Sequence, residues 1–468
     1  MTNKPKPTTD RIGTEKISTL LFDFSVPAII GMVVNAVYNI VDRIYVGQGV
    51  DPLGIAGITT VMPVMMLMMA ASMLIGIGAN ALFSIHLGEG RRDEVEKIMG
   101  HAFALLFLVP AVVILLSLVF LDTLLRDMLK VSEAVFPYAK TYLRIILYGG
   151  IFSAMGPGIN HFIRSDGHPR TSMFTQILGA VINIILDPIF IFFLDWGIAG
   201  AAWATILSQF ISFFWVICYF NSPWTKLRFH LRSMKLEWKL SLRIMSIGFA
   251  PFAMQAAIGL VNVVLNRTLD QYGGDLAVTS MGIVYSILVI IIMPLQGLNQ
   301  GVQPIIGYNY GAKQYDRVIK AYKLAVLWAT IFVGVGFLLI QGVPRFFIAI
   351  FRNEEGELMQ MGIRSLRACT LFLPMIGFQI ITANFFQALG KPIPGTVLSL
   401  SRQILLFIPL VLVLPRIFGV YGIFFAMPAA DLGASILAGF MIKQELQKLN
   451  RLSGKGQGEG IYMRSGSR

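Results

Sequence analysis

Four oxygen-bearing side chains stand inside stretches that are otherwise apolar. They are Asp42 in NAVYNIVDRIYVG, Asn183 and Asp187 in GAVINIILDPIFIFF, and Thr205 in AAWATILSQ. A charge in an apolar helix is costly, so each one calls for a reason. Asn183 and Asp187 are four residues apart, a spacing that puts both on one face of a helix. Pro188 has no backbone N–H, so the carbonyl near Ile184 is freed beside the acid. Two carboxylates, an amide oxygen, a hydroxyl and freed carbonyls are the hard oxygen donors that suit a sodium ion. The same two acids could instead share and exchange protons, because like charges held close disfavour double ionisation. Structural accounts compete residue by residue. Asp42 precedes Arg43 and could be an interfacial residue reaching for the headgroups. Asn183 and Thr205, taken singly, could be interhelical hydrogen bonders. Asp187 lies too deep for the first account, and the combination of four carries the cation reading.

The second half of the chain does not repeat these acids. The positions offset from Asp42 and Asp187 by the internal repeat described below are Leu265 and Pro409. Coupling chemistry is therefore expected in the first half alone. Arg402 and Asp431 are the main polar intruders in the later apolar stretches. They either line a cavity in the second half or pair with each other, and pairing is the simpler account. The 23 Met and 34 Phe suit a pocket for flat lipophilic cations, although lipid-facing helices use both residues freely. Enzymatic chemistry finds no support: the five His are scattered, and no zinc-ligand cluster, nucleophile motif or GxxxxGK[ST] nucleotide loop occurs. Neither an ATP drive nor a cofactor is expected beyond a coupling Na+ or H+. Cys218 and Cys369 both fall in apolar stretches and read as small core residues.

The elements that must position these residues follow from composition. The chain has 468 residues, 56% apolar and only 13% charged, too little charge to cover a water-soluble protein of this size. A bilayer accepts the excess, and a spanning helix needs roughly 20 apolar residues. A dozen such stretches begin near residues 19, 53, 98, 137, 171, 197, 243, 277, 318, 365, 396 and 420. Residues 1–18 carry no apolar core, so no cleavable signal peptide is expected. The net charge of +13 is not a nucleic-acid signal, because most Lys and Arg sit in loops between spans. Placing both termini in the cytoplasm puts the basic clusters at 91–97, 164–170, 226–243 and 313–323 on that side, the positive-inside pattern for an even number of helices.

The chain also repeats itself. GANALFSIHLGEGRRDEVEKI from Gly78 parallels GVQPIIGYNYGAKQYDRVIKA from Gly301, and Gly78/Gly301, Gly88/Gly311, Gly167/Gly390 and Pro169/Pro392 are each 223 apart. Pro27 and Pro251 differ by 224, and Gly200 and Gly422 by 222. Each unit has an even number of spans, so both copies enter from the same side. The expected fold is all-α and membrane-embedded: twelve transmembrane helices in two six-helix bundles, related by a pseudo-two-fold axis along the membrane normal with a pathway between them. The expected boundaries are a cytoplasmic segment at 1–18, a first lobe at 19–220, a cytoplasmic link at 221–242, a second lobe at 243–442 and a cytoplasmic tail at 443–468. The link, rich in Lys, Arg and Trp, is expected to lie in the headgroup layer, and the tail GKGQGEG from Gly454 to lack order.

These residues resemble the multidrug and toxic compound extrusion (MATE) transporters over roughly 15–445. The likeness rests on Pro27 and Asp42, LGEGRRDEVEKI, SDGHPRTS, NIILDP, GAAWAT and the parallel elements of the second half. It is strongest to the bacterial multidrug branch whose cation site lies in the amino-terminal lobe. The resemblance implies an antiporter of the bacterial cytoplasmic (inner) membrane, working as a monomer, in which inward Na+ or H+ drives export of lipophilic cationic drugs and dyes. It places Asp42, Asn183, Asp187 and Thr205 at the cation site and makes Pro27 a candidate hinge in the first span. Another branch uses an acid in the seventh span; here FAPFAMQAAIGLVNVVLNRTLD has none before Asp270. One rival keeps the fold and carries a lipid-linked precursor. Such a flippase would line its cavity with cationic residues for phosphates, whereas the first-lobe spans here hold acids. A channel is a further rival, but no selectivity-filter sequence is present.

Overall fold

The structure, a computed structural model, describes residues 8–465 apart from 224, 226, 228–235 and 352–355, with side chains from 11 to 454. It is helical throughout, with no strand among the described residues. A short helix, Thr8–Thr14, precedes the first span, Ile17–Gly49. Spans two to six are Pro52–Gly88, Arg92–Val119, Phe136–Ser165, Pro169–Phe193 and Gly197–Phe220. Trp238–Gly311 is two spans joined at Gly274, whose φ of 58° breaks the helix at a conformation glycine adopts freely. Tyr315–Gly342 is the ninth span. The tenth is broken, Glu357–Cys369 and Leu373–Ala388 meeting at 47°. Pro392–Phe418 and Val420–Ser465 complete twelve. The fourth span is more polar than the rest, but its 30 residues at about 1.5 Å each exceed the hydrocarbon thickness.

Helices start up to eight residues before the apolar stretches that announced them, as at Arg92 and Glu357. The apolar run measures the hydrocarbon layer, whereas the helix continues into the polar layer beyond it, where Asp93 and Glu94 favour a helix start. The tail expected to lack order is instead helical backbone through Ser465, continuous with the last span. The residues on which the headgroup-layer expectation for the link most depends, 228–235, lie outside those described.

The pseudo-two-fold axis is visible in the contacts. Asn80 donates to Gln303 at 3.2 Å, and these two residues are offset by the repeat distance of 223. A residue that bonds to its own repeat counterpart must lie beside the axis. Gly88 and Gly311 report the same symmetry: a methyl on Gly88 would strike the Tyr308 carbonyl, and one on Gly311 the carbonyl of Ile85, the repeat counterpart of Tyr308. Side-chain-free positions let the second and eighth spans cross backbone to backbone. These contacts gather at the end that bears the loops at 89–91 and 312–314.

Spans one and seven exchange places at that end. Ile17, Leu20, Leu21 and Phe24 pack into the core of the second lobe, while Ile244 and Ile247 pack into the core of the first. The short leading helix follows span one. Ile12 is buried; its carbonyl accepts from Arg317 at 2.9 Å and from Asn309 at 3.2 Å, and Arg317 also holds the Glu15 carbonyl at 2.7 Å.

Candidate cation site

Three helices of the first lobe bring the sequence-selected residues together. Span one carries Asp42, span five Asn183 and Asp187, and span six Thr205. Span five packs between the other two. Its α-helical part ends at Pro188 and gives way to a π-helical turn, Ile189–Phe193, in which Leu194 N bonds to the Ile189 carbonyl. The missing proline N–H and the wider turn loosen the ladder where the acid sits.

The Asp42 and Asp187 carboxyl groups are close neighbours that interact electrostatically. Asn183 Nδ2 donates to Asp187 Oδ1 at 3.4 Å. Asp187 is fully buried and Asn183 nearly so, yet Asp187 Oδ2 and Asn183 Oδ1 have no hydrogen-bond partner. Buried oxygens without donors are costly, and two of them belong to side chains one helical turn apart on span five. Asp42 is half-buried, and Arg43 beside it is exposed, so the open side of the pair is the Asp42 side. The Thr205 hydroxyl donates to the Ala201 carbonyl in its own helix at 3.0 Å, which leaves its oxygen lone pairs free. It touches neither acid by hydrogen bond, and its tie to the group is the packing of span six on span five. The arrangement is dominated by carboxylate and amide oxygens, its amide N–H and Thr205 hydroxyl being already spent on Asp187 and Ala201: it can hold a proton between carboxylates or coordinate a small cation.

Two tyrosines join the site that the sequence reading passed over. Tyr38 and Tyr142 both lie within electrostatic range of Asp42 and Asp187. Tyr38 is four residues before Asp42, so helical spacing could have found it. Tyr142 arrives from span four, and no sequence spacing relates it to either acid.

The second lobe has a different polar centre. Leu265, in the position of Asp42, is core; Pro409, in that of Asp187, lies in the eleventh span. Arg402 and Asp431 pair, Nε to Oδ1 at 2.6 Å. Pro27 sits inside the first span, and the backbone of Ser25, Ala28 and Ile29 around it lies against Gly301 and Gly297 of the eighth span. The proline thus stands at the contact between lobes, about 15 residues before Asp42 on the same helix.

A helical chain of twelve spans in two pseudo-symmetric lobes, with a buried polar centre in each, is a membrane transporter in class. The family model described as MatE matches residues 27–189 and 251–413, its two matches starting at Pro27 and Pro251, the repeat-related prolines. The chain belongs to the MatE family, whose members are transporters and not enzymes. Among curated proteins it is similar to the multidrug export protein MepA of Staphylococcus saprophyticus, 26% identical over 412 residues, covering 88% of this chain and 90% of that one. It is also similar to MepA of Staphylococcus aureus strain MSSA476, 25% identical with the same coverage. Among solved structures it shares the fold of an outward-facing multidrug resistance MATE transporter, at a TM-score of 0.88 and 22% identity, covering 96% of this chain and 99% of that one. A Pyrococcus furiosus transporter of the MOP superfamily, its binding pocket described as reversed in polarity, gives a TM-score of 0.88 at 22% identity, covering 96% and 100%.

Proposed function

We propose that this protein is a secondary active multidrug exporter that exchanges inward-moving Na+ or H+ for lipophilic organic cations by alternating access between its lobes. The observation that carries the reading is the Asp42–Asp187 pair, found in one lobe only among the described residues, with one oxygen each of Asp187 and Asn183 left unpartnered. A cation entering from the Asp42 side binds the two carboxylates and the Asn183 amide oxygen, with Thr205 on the flank. Its binding removes the repulsion between the acids and favours one packing of span one against span five. Release of that cation to the other side is coupled to rocking of the lobes. The export role of the MepA proteins, similar over nine-tenths of their length, supports multidrug cargo.

The basic residues at 91–97 and 313–323, at the starts of the third and ninth spans, border the end where the lobes touch. With those residues in the cytoplasm of a bacterial inner membrane, both termini are cytoplasmic, the cytoplasmic side is closed and the structure faces outward. The chain works as a monomer, its pathway enclosed by its own two lobes.

A second reading, a flippase for a lipid-linked precursor, draws on one residue. Arg164 is buried and held by Ser172 Oγ at 3.1 Å and the Gln300 carbonyl at 3.5 Å, with no carboxylate partner among the described residues. A phosphate-bearing cargo would have use for such a group. Dye efflux from loaded proteoliposomes under imposed sodium or pH gradients separates the two. Efflux that follows one gradient and collapses at least tenfold in Asp42→Asn and Asp187→Asn is expected. Absence of gradient-driven efflux of every cationic dye tried would favour the flippase.

A further inference from the structure

The fifth and sixth helices of each lobe bury a carboxylate, but its partner differs. In the first lobe Asp187 faces another acid. In the second, Asp431 of the twelfth span is completely enclosed, its side chain 0% exposed, and Arg402 of the eleventh span donates to its Oδ1 at 2.6 Å. Asp431 Oδ2 is buried with no hydrogen-bond partner. Arg402 is itself 13% exposed and stands second in a π-helical stretch, Ser401–Phe407. Wide turns of this kind displace a side chain from the helical register and often mark functional sites. The titratable groups facing the pair are Tyr285 from the eighth span and Cys369 from the tenth, both uncharged near neutral pH.

The pair is not a decayed copy of the first-lobe site. Shifted back by the repeat distance of 222–223, Arg402 falls on Gly179 or Ala180 and Asp431 on Ser208 or Gln209, none of them charged, on two helices that pack together in the first lobe as well. The same helix–helix contact is therefore neutral in one lobe and doubly charged in the other. A lone carboxylate there would have to bind a proton or a cation, since an uncompensated charge is not tolerated in an apolar interior. The guanidinium fills that role without ever leaving the protein.

We propose that Asp431 is a latent monovalent-cation site held permanently filled by the Arg402 guanidinium, so that only the first lobe exchanges a cation during a cycle. The last clause rests on the function proposed above; the site itself does not. The test is thermal unfolding of the full-length protein in detergent at pH 5.5 and pH 8, in sodium chloride and in choline chloride. Asp187→Asn serves as the background that removes the first-lobe response. In that background Arg402→Gln should create a new dependence, the midpoint at pH 8 in choline falling by about 5 °C or more and recovering with sodium or at pH 5.5. Arg402→Lys, still a tethered cation, should create none. Adding Asp431→Asn to Arg402→Gln should abolish the dependence. A response to Arg402→Gln no larger than in the background, or one that survives Asp431→Asn, overturns the proposal. If Arg402→Gln does not yield folded protein, Asp431→Asn alone decides: its stranded guanidinium should make stability depend on chloride over gluconate, and no such dependence overturns the proposal. A cation response that persists in Asp187→Asn by itself would count instead against the first-lobe site.

Discussion

At the scale of single residues, Asp187 is the group hardest to explain as mere structure. It is buried, opposed by Asp42, and supported by one long bond from Asn183. A site that already held its charge satisfied would offer no room for a coupling ion. The unpartnered oxygens on Asp187 and Asn183 are what a cation would complete. Tyr142 is positioned to tune the pair without ligating it, since its hydroxyl lies within electrostatic range of both acids while its ring is core. Tyr142→Phe should therefore keep the fold and maximal transport but change the cation concentration for half-maximal efflux. A shift of up to about tenfold, the worth of roughly one hydrogen bond, is expected in a titration of dye efflux against sodium or pH. An unchanged titration would remove Tyr142 from the site.

Individual helices decide whether cation binding can be felt elsewhere. Span one is continuous from Ile17 to Gly49, carries Asp42 towards one end and packs its other end into the opposite lobe. Pro27 lies between, where the chain lacks one helical hydrogen bond. A helix weakened at that point can bend when its far end is drawn towards span five. Pro27→Ala restores the donor and should slow transport turnover severalfold, while equilibrium binding of a cationic dye stays within about twofold; stopped-flow efflux and dye titration read the two separately. The crossing of spans two and eight poses the opposite requirement, close contact. Gly311→Leu would drive a side chain into the Ile85 carbonyl, and overpacking of this kind costs about 1–3 kcal/mol. A lower unfolding midpoint is expected, together with weaker closure of the lobes at that end.

For the molecule as a whole, the exchange of spans one and seven between lobes ties the bundles into one body at a single end. The leading helix adds a strap: it belongs to the first span by sequence but is held by Arg317 and Asn309 of the second lobe. Arg317→Ala removes bonds to two carbonyls, and by the usual worth of charged hydrogen bonds about 1.5–3 kcal/mol of local anchoring. Limited trypsin digestion should then cut after Arg11 or Lys16 faster than in the unaltered protein, with the remaining spans equally protected. Equal cutting rates would show that the apolar burial of Ile12 suffices. The rocking proposed for the lobes would pass through this strap, and on that reading the same variant should also alter transport turnover.

The amino-acid sequence by itself determined the membrane setting, the helix count and the two-fold repeat. These follow from apolar length and from period, which are properties of one chain read in order. It also marked Asp42, Asn183 and Asp187, because a charge or amide in an apolar run is conspicuous wherever it folds, and a spacing of four fixes a helix face. What lay beyond it were relations between distant segments. That Asp42 meets Asp187 across 145 positions of chain, that Tyr142 stands beside both, and that Arg402 reaches Asp431 rather than a cavity depend on which helices pack together. So does the exchange of spans one and seven, whose apolar faces would satisfy either lobe equally well in sequence. Hydrophobic burial sets that a face must be covered but not by what; backbone crossings at glycine and the pairing of buried polar groups select the partner, and those exist only in the assembled fold.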